Sequence, residues 1–79
     1  SYVRLYPNPA QDVVIVECSP VLTPAASLII YDMTGRPMRR YAIHGTGQKI
    51  DLETLACGVY TVQFKDGSFV KTMKLVKEK

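Results

Sequence analysis

The fold is decided by residues 58–77, GVYTVQFKDGSFVKTMKLVK, in which two runs of alternating polarity flank a short turn. From Tyr60 to Phe64 every second side chain is apolar and the intervening ones are polar, which is the pattern of a half-buried antiparallel strand. Asp66-Gly67, between the two runs, suits a two-residue type I′ turn, whose central residues both need positive φ. This stretch therefore predicts a β-hairpin of strands 59–65 and 68–77.

The rest of the chain repeats this pattern of short strands and turns. Turn signals recur roughly every 8–12 residues, and the runs between them are rich in Val, Ile, Tyr and Thr, which is typical of an all-β sandwich or barrel. We expect a seven-stranded antiparallel immunoglobulin-like β-sandwich that forms a single domain over residues 1–79. The expected strands are 2–6, 12–18, 26–32, 36–43, 47–51, 59–65 and 68–77. The expected core residues are Leu5, Val14, Val16, Leu28, Ile30, Met38, Ile50, Leu55, Tyr60, Val62, Phe64, Met73 and Leu75.

Three aspartates are expected to organise turns or strand ends. The Asp32 carboxylate can accept the backbone N–H two residues on, and Gly35 then takes the left-handed conformation that closes a hairpin. Asp51 can cap a single helical turn that directs the next two leucines into the core. Asp12 follows a Pro-Asn-Pro segment and is expected to open the second strand through a hydrogen bond from its side chain to the backbone.

Composition and charge exclude several classes of protein. The chain has 79 residues with 10 Lys plus Arg and 7 Asp plus Glu, a net charge of +3. These basic residues are scattered or crowded at the C-terminus, so they do not form the basic face with interleaved aromatics of a nucleic-acid-binding protein. No stretch approaches the roughly 18 consecutive apolar residues of a membrane-spanning helix. Because the first residue is Ser and no signal-peptide pattern follows it, the chain is expected to be a fragment of a longer polypeptide.

No group of side chains predicts catalysis, metal binding or a cofactor. The single histidine, His44, has no second histidine, cysteine cluster or carboxylate pair near it in the sequence. No serine lies in a nucleophile motif, and Gly45-Thr46-Gly47 lacks the Lys-Ser/Thr that completes a phosphate-binding loop. The chain is therefore expected not to be an enzyme.

The two cysteines allow two interpretations. Cys18 and Cys57 match no metal-binding spacing. They can be two free, buried thiols that behave as small apolar residues, or a disulfide between the end of the second strand and the loop before the sixth. Free thiols are favoured, because a disulfide also requires the two Cα atoms to lie within about 7 Å of each other.

Four segments stand out by their order and spacing: Leu5–Asp12 (LYPNPAQD), Ile30–Arg36 (IYDMTGR), Ile50–Val62 (IDLETLACGVYTV) and Lys71–Lys77 (KTMKLVK). Together they resemble the C-terminal sorting domain of cargo proteins of the type IX (Por) secretion system of Gram-negative bacteria, over nearly the whole chain. The sequence departs from that family at Cys57, where a polar or small residue or proline is expected, and in its tail after the closing motif. The residues that carry the motifs and turns are Pro7, Asn8, Pro9, Asp12, Asp32, Gly35, Arg36, Asp51, Gly58, Asp66 and Gly67.

The resemblance implies that the domain is an address on a larger secreted protein. In this family the domain crosses the inner membrane with its cargo, folds in the periplasm and is recognised by the outer-membrane translocon. The implied partners are that translocon, its shuttle protein and a sortase-like peptidase, which usually removes the domain and joins the cargo to lipopolysaccharide. The implied destination is the cell surface, the outer membrane or the medium, and the resemblance implies no cofactor, small-molecule ligand or nucleic acid.

The final hairpin is expected to be the surface that the translocon recognises, because a terminal strand can be read through its shape and backbone. Its inward side chains are also expected to build the core, while Lys71, Lys74 and Lys77 are expected to be more accessible. The residues assigned to recognition are Gly58, Tyr60, Lys71, Lys74, Leu75, Val76 and Lys77.

Two other interpretations stay open. An immunoglobulin-like or fibronectin-like spacer, or a carbohydrate-binding module, has the same expected fold. Sugar binding needs exposed aromatic side chains, and the candidates are Tyr2, Tyr6, Tyr31 and Tyr41, with no Trp in the chain. A homodimer formed through open sheet edges or swapped strands is the third interpretation.

Overall fold

The computed structural model describes residues 2–21 and 23–79 and folds them into antiparallel β-strands. Each strand bound lies within one residue of the expected one. No helix in these two ranges is long and apolar enough to cross a membrane. The strands are β1 (Val3–Tyr6), β2 (Val13–Cys18), β3 (Ser27–Tyr31), β4 (Pro37–Ala42), β5 (Gly47–Asp51), β6 (Gly58–Asp66) and β7 (Phe69–Lys77).

The strands form two sheets. One sheet has the order β1-β2-β5 and the other has the order β4-β3-β6-β7. All the paired strands are antiparallel. This order is that of an immunoglobulin-like sandwich in which the fourth strand joins the sheet of the third, sixth and seventh strands. The predicted all-β sandwich is therefore confirmed, and β7 is one edge of the larger sheet.

The core lies between the two sheets and follows the alternation of the strands. In β6 the even-numbered residues from Tyr60 to Asp66 are buried, and β2 buries Val14, Val16 and Cys18. The predicted core residues are buried, except that Leu5, Met38 and Met73 are partly buried and pack against the core. The buried apolar residues that the expected core omits include Val3, Ala10, Ala26 and Ile43.

The β6–β7 turn differs from the expected one by a single position. Asp66 pairs with Phe69, so the two central residues are Gly67 and Ser68 rather than Asp66 and Gly67. Gly67 has a φ of 65°, and Ser68 does not have positive φ, so only the first central residue is left-handed, as in a type II′ turn. The Asp66 carboxylate is instead buried and accepts the Thr23 N–H at 2.9 Å, which ties the β2–β3 loop to this hairpin.

The cysteines are both free, but only one of them is buried. Cys18 ends β2 with 1% of its surface exposed, and its thiol donates to the Gly45 carbonyl at 3.4 Å. Burial raises the pKa of the Cys18 thiol, and the nearby Asp66 carboxylate adds to the shift. Cys57 is exposed in the loop before β6. The expectation that both thiols are buried is therefore wrong for Cys57, because its loop side chain lies outside the alternation that directs strand residues inward.

We expect one thiol per chain to react with a thiol reagent in the native protein. Cys57 is exposed, whereas Cys18 is buried and its raised pKa keeps it protonated, so the reactive thiolate is scarce. The second equivalent is expected only after unfolding in denaturant. The Cys57→Ser variant is expected to lose the fast reaction. A fast reaction of this variant in its native state would contradict the burial of Cys18.

Candidate recognition surface

The four motif segments meet at one end of the sandwich, although they are far apart in the sequence. Gly58, which starts β6, pairs with Lys77 at the end of β7. Tyr31, which precedes the β3–β4 turn, pairs with Thr61 of the same β6 strand. The Asp12 main-chain carbonyl accepts the Leu52 N–H at 2.7 Å and joins the opening segment, residues 7–12, to the loop after β5. The motifs therefore surround a common end of the fold.

The opening segment crosses from the three-stranded sheet to the outer edge of β7. The Asn8 side-chain amide forms a pair of hydrogen bonds with the β7 main chain, as the backbone of a neighbouring strand would. Its Nδ2 donates to the Lys74 carbonyl at 2.8 Å, and its Oδ1 accepts the Val76 N–H at 3.0 Å. Asn8 lies between Pro7 and Pro9, and proline has no N–H to offer a neighbouring strand. The amide side chain therefore supplies a donor that the backbone of this segment lacks.

Ala10 continues this contact with its main chain. Its N–H donates to the Val76 carbonyl at 2.8 Å, and its carbonyl accepts the Glu78 N–H at 2.7 Å. The pairing is a parallel bridge between Ala10 and Lys77, and Ala10 is fully buried. The opening segment thus covers the outer edge of β7 from Lys74 to its end and also pairs with Glu78, which follows the strand.

Asn8→Asp is expected to destabilise the domain by about 1–2 kcal/mol, because it removes the donor to the Lys74 carbonyl and places a carboxylate against that oxygen. The measurement is the free energy of unfolding in urea. Gln11→Glu is the matched control, since it adds the same charge at an exposed position in the same segment. Equal stability of the two variants would contradict the role of the Asn8 amide.

The Asp32 turn has the expected geometry. Asp32 Oδ1 accepts the N–H groups of Thr34 at 2.9 Å and Arg36 at 3.0 Å, and Gly35 has a φ of 88°. Arg36 Nε lies 3.3 Å from Asp32 Oδ2. The Thr34 hydroxyl, these backbone donors and the Arg36 charge lower the pKa of the Asp32 carboxyl. The turn is therefore held by an ionised carboxylate, as predicted.

The loop between β5 and β6 also forms as predicted. Asp51 Oδ1 accepts the Glu53 N–H at 2.9 Å, and the Leu52 carbonyl accepts the Leu55 N–H at 2.9 Å. Both leucines are buried. The Tyr60 hydroxyl donates to the Ala56 carbonyl and fixes the end of this loop against β6. The loop motif therefore has a structural role at the shared end.

The residues assigned to recognition divide into two groups. Lys71, Lys74 and Gly58 are exposed and Val76 is partly buried, so these positions are accessible. Tyr60, Leu75 and Lys77 are buried. The expectation that Lys77 is accessible is wrong, since only 4% of its surface is exposed. Lys77 has the same parity as Leu75 and lies at the bridge to Ala10, so strand alternation directs it inward.

Two of the tyrosines considered for sugar binding, Tyr2 and Tyr6, interact with charged side chains of the three-stranded sheet. The Arg4 guanidinium lies 5.2 Å from the centre of the Tyr6 ring and 2.7 Å from the Glu17 carboxylate. The Tyr2 hydroxyl also donates to Glu17 at 3.2 Å.

Within residues 2–21 and 23–79, no cluster of His, Cys, Asp and Glu side chains could hold a metal ion.

Comparison with known proteins gives one family and a related structure. A family model described as the secretion system C-terminal sorting domain matches residues 4–78. No curated protein matches the chain. The chain is similar to the solved structure of PorZ, described as an essential bacterial surface component of the type-IX secretion system of Porphyromonas gingivalis, with 26% identity and a TM-score of 0.77. The match covers 98% of this chain and 11% of that chain, so this chain spans a small part of that protein's length.

Proposed function

The chain belongs to the secretion system C-terminal sorting domain family, and we propose that it directs an attached cargo protein across the outer membrane through the type IX secretion system. It is a sorting signal domain, and such domains are not enzymes in general. The observation that carries the proposal is the family match over residues 4–78, which includes every motif at the shared end of the sandwich. The cargo is a secreted or cell-surface protein.

The finer steps of this function are also part of the proposal. The domain forms the C-terminal part of a longer secreted protein and passes through the periplasm before the translocon recognises it. A sortase-like peptidase then removes it from the cargo. The similarity to PorZ supports a type IX partner, because PorZ is a component of that system. The exposed lysines of β6 and β7 support recognition by this hairpin, and so does the position of β7 at one edge of its sheet.

A reporter fusion tests the proposed function. The domain is joined to the C-terminus of an inert periplasmic protein in a cell with an active type IX system, and surface exposure is measured by labelling intact cells. We expect the reporter at the surface, and in the periplasm when the fusion is made in a cell without the translocon. Equal surface labelling with and without the translocon, or a wholly periplasmic reporter in both cells, would overturn the proposal.

A further inference from the structure

The outer edge of β7 presents two sets of main-chain groups, and only one set is covered. The groups covered by the opening segment belong to Lys74, Val76 and Glu78. In an antiparallel pair, alternate residues direct their N–H and C=O groups to the same side. Val70 and Thr72 have the same parity as Lys74, so their N–H and C=O groups also point away from β6.

The edge from Phe69 to Met73 is left open by the opening segment. Among residues 2–21 and 23–79, no main-chain hydrogen bond reaches the outward groups of Val70 and Thr72. Thr72 is exposed, and 49% of the Val70 surface is exposed. The register of β6 and β7 runs without a shift from one end of the hairpin to the other, so no bulge twists this edge away. It contains no proline. This edge is therefore a regular, accessible template for another strand.

The charges beside this open edge have one sign. Lys65 on β6 is exposed, and so are Lys71 and Lys74 on β7. The one acidic residue of the hairpin, Asp66, is buried and accepts the Thr23 N–H. Lys65 and Lys74 lie on the exposed face of the sheet and Lys71 has the opposite parity, so an incoming strand with acidic side chains on either face would meet lysine. A basic strand would be repelled.

We propose that the open edge of β7, Phe69–Met73, binds an extended acidic segment of a partner protein as an added β-strand. The outward N–H and C=O groups of Val70 and Thr72 pair with the backbone of that segment. The lysines beside the edge select acidic side chains. This inference rests on the proposed function for its choice of partner, which is a component of the secretion machinery.

A second copy of this chain fits the edge less well. Two copies paired through β7 would bring Lys71 of one protomer close to the lysines of the other, and like charges that face each other across paired strands are unfavourable. Lys71 has the inward parity of Met73 and yet is exposed at the edge. A charge at such a position is a known obstacle to edge-to-edge association of identical sheets.

The test uses the 79-residue chain and a short end-blocked peptide of alternating glutamate and valine as the probe. Binding is followed by NMR, through amide hydrogen exchange and chemical shifts. We expect the peptide to slow exchange at Val70 and Thr72, and the same peptide with lysine in place of glutamate to have no effect. Thr72→Pro removes an outward N–H and spares the bonds to β6, so it is expected to weaken binding at least about tenfold.

Thr72→Val is the matched control, because it keeps the N–H and the branched shape and replaces only the hydroxyl with a methyl group. Both variants are checked for the native fold by circular dichroism and for unchanged protection of the β6 amides. The inference is overturned if the acidic peptide leaves the exchange of Val70 and Thr72 unchanged, if its shifts map to another surface, or if folded Thr72→Pro binds it as tightly as Thr72→Val does.

The reporter fusion separates this inference from the proposed function. If the unmodified domain exports the reporter and folded Thr72→Pro exports it equally well, the inference falls and the sorting function stands. If the unmodified domain exports nothing, the sorting function falls, and the peptide experiment alone decides whether the edge binds acidic strands. Export that is lost in Thr72→Pro and kept in Thr72→Val supports both.

Discussion

A reporter fused to this domain is expected to stay in the periplasm when Met73–Lys79 are deleted. The deletion removes Leu75 from the core and the groups that bind Asn8 and Ala10, so neither the final strand nor the docked opening segment can form. We expect export to fall from that of the unmodified fusion to the background of a cell without the translocon. The measurement is surface labelling of intact cells together with the periplasmic amount of the reporter.

A folded control separates loss of recognition from loss of the fold. Lys71→Ala with Lys74→Ala changes two exposed side chains, which is expected to alter stability by less than about 0.5 kcal/mol each. Lys77 is unsuitable for this control because it is buried. Normal export of the deletion variant would contradict the sorting function. Export that is lost on deletion and kept in the lysine variant would assign recognition to strand geometry rather than to charge.

Leu75→Ala is expected to lower the free energy of unfolding by about 2–5 kcal/mol, because Leu75 is fully buried and its truncation leaves a cavity. That loss is a large part of the free energy of unfolding of a protein domain, which is typically about 5–15 kcal/mol. Urea unfolding monitored by circular dichroism measures it.

Thr72→Ala is the matched control on the same strand, since Thr72 is exposed and its change is expected to stay within about 0.5 kcal/mol. If both variants unfold at the same urea concentration, the placement of Leu75 in the core is contradicted. In the reporter fusion, export of Leu75→Ala is expected to fall with the unfolded fraction and to recover at lower temperature.

The strands and most turns could be predicted from the sequence because their signals are local. Alternation within β6 requires only its own residues, and the Asp32 turn depends on one carboxylate and on Gly35. The sequence places the β6–β7 turn one position too early, since Asp-Gly and Gly-Ser are both suitable turn pairs and only pairing with the opposite strand decides between them.

The contact between the opening segment and β7 could not be predicted, because it joins distant parts of the chain through a side chain. The sequence signal is an asparagine between two prolines, which shows where the backbone lacks donors but not which strand the amide meets. The position of Lys77 was predictable from parity with Met73 and Leu75. Its charge alone suggested exposure, and strand alternation overrides charge at this position.

The docking of Asn8 onto β7 also has a consequence for the order of events during biosynthesis. Its two hydrogen bonds join residues that are 66 and 68 positions apart, so the amide meets its partners only after almost the whole domain has left the ribosome. Contacts between such distant residues form slowly in folding. A nascent or prematurely terminated chain that ends before Lys74 therefore cannot close the sandwich. The contact between Asn8 and β7 can therefore form only in a chain that has been translated to the end of β7.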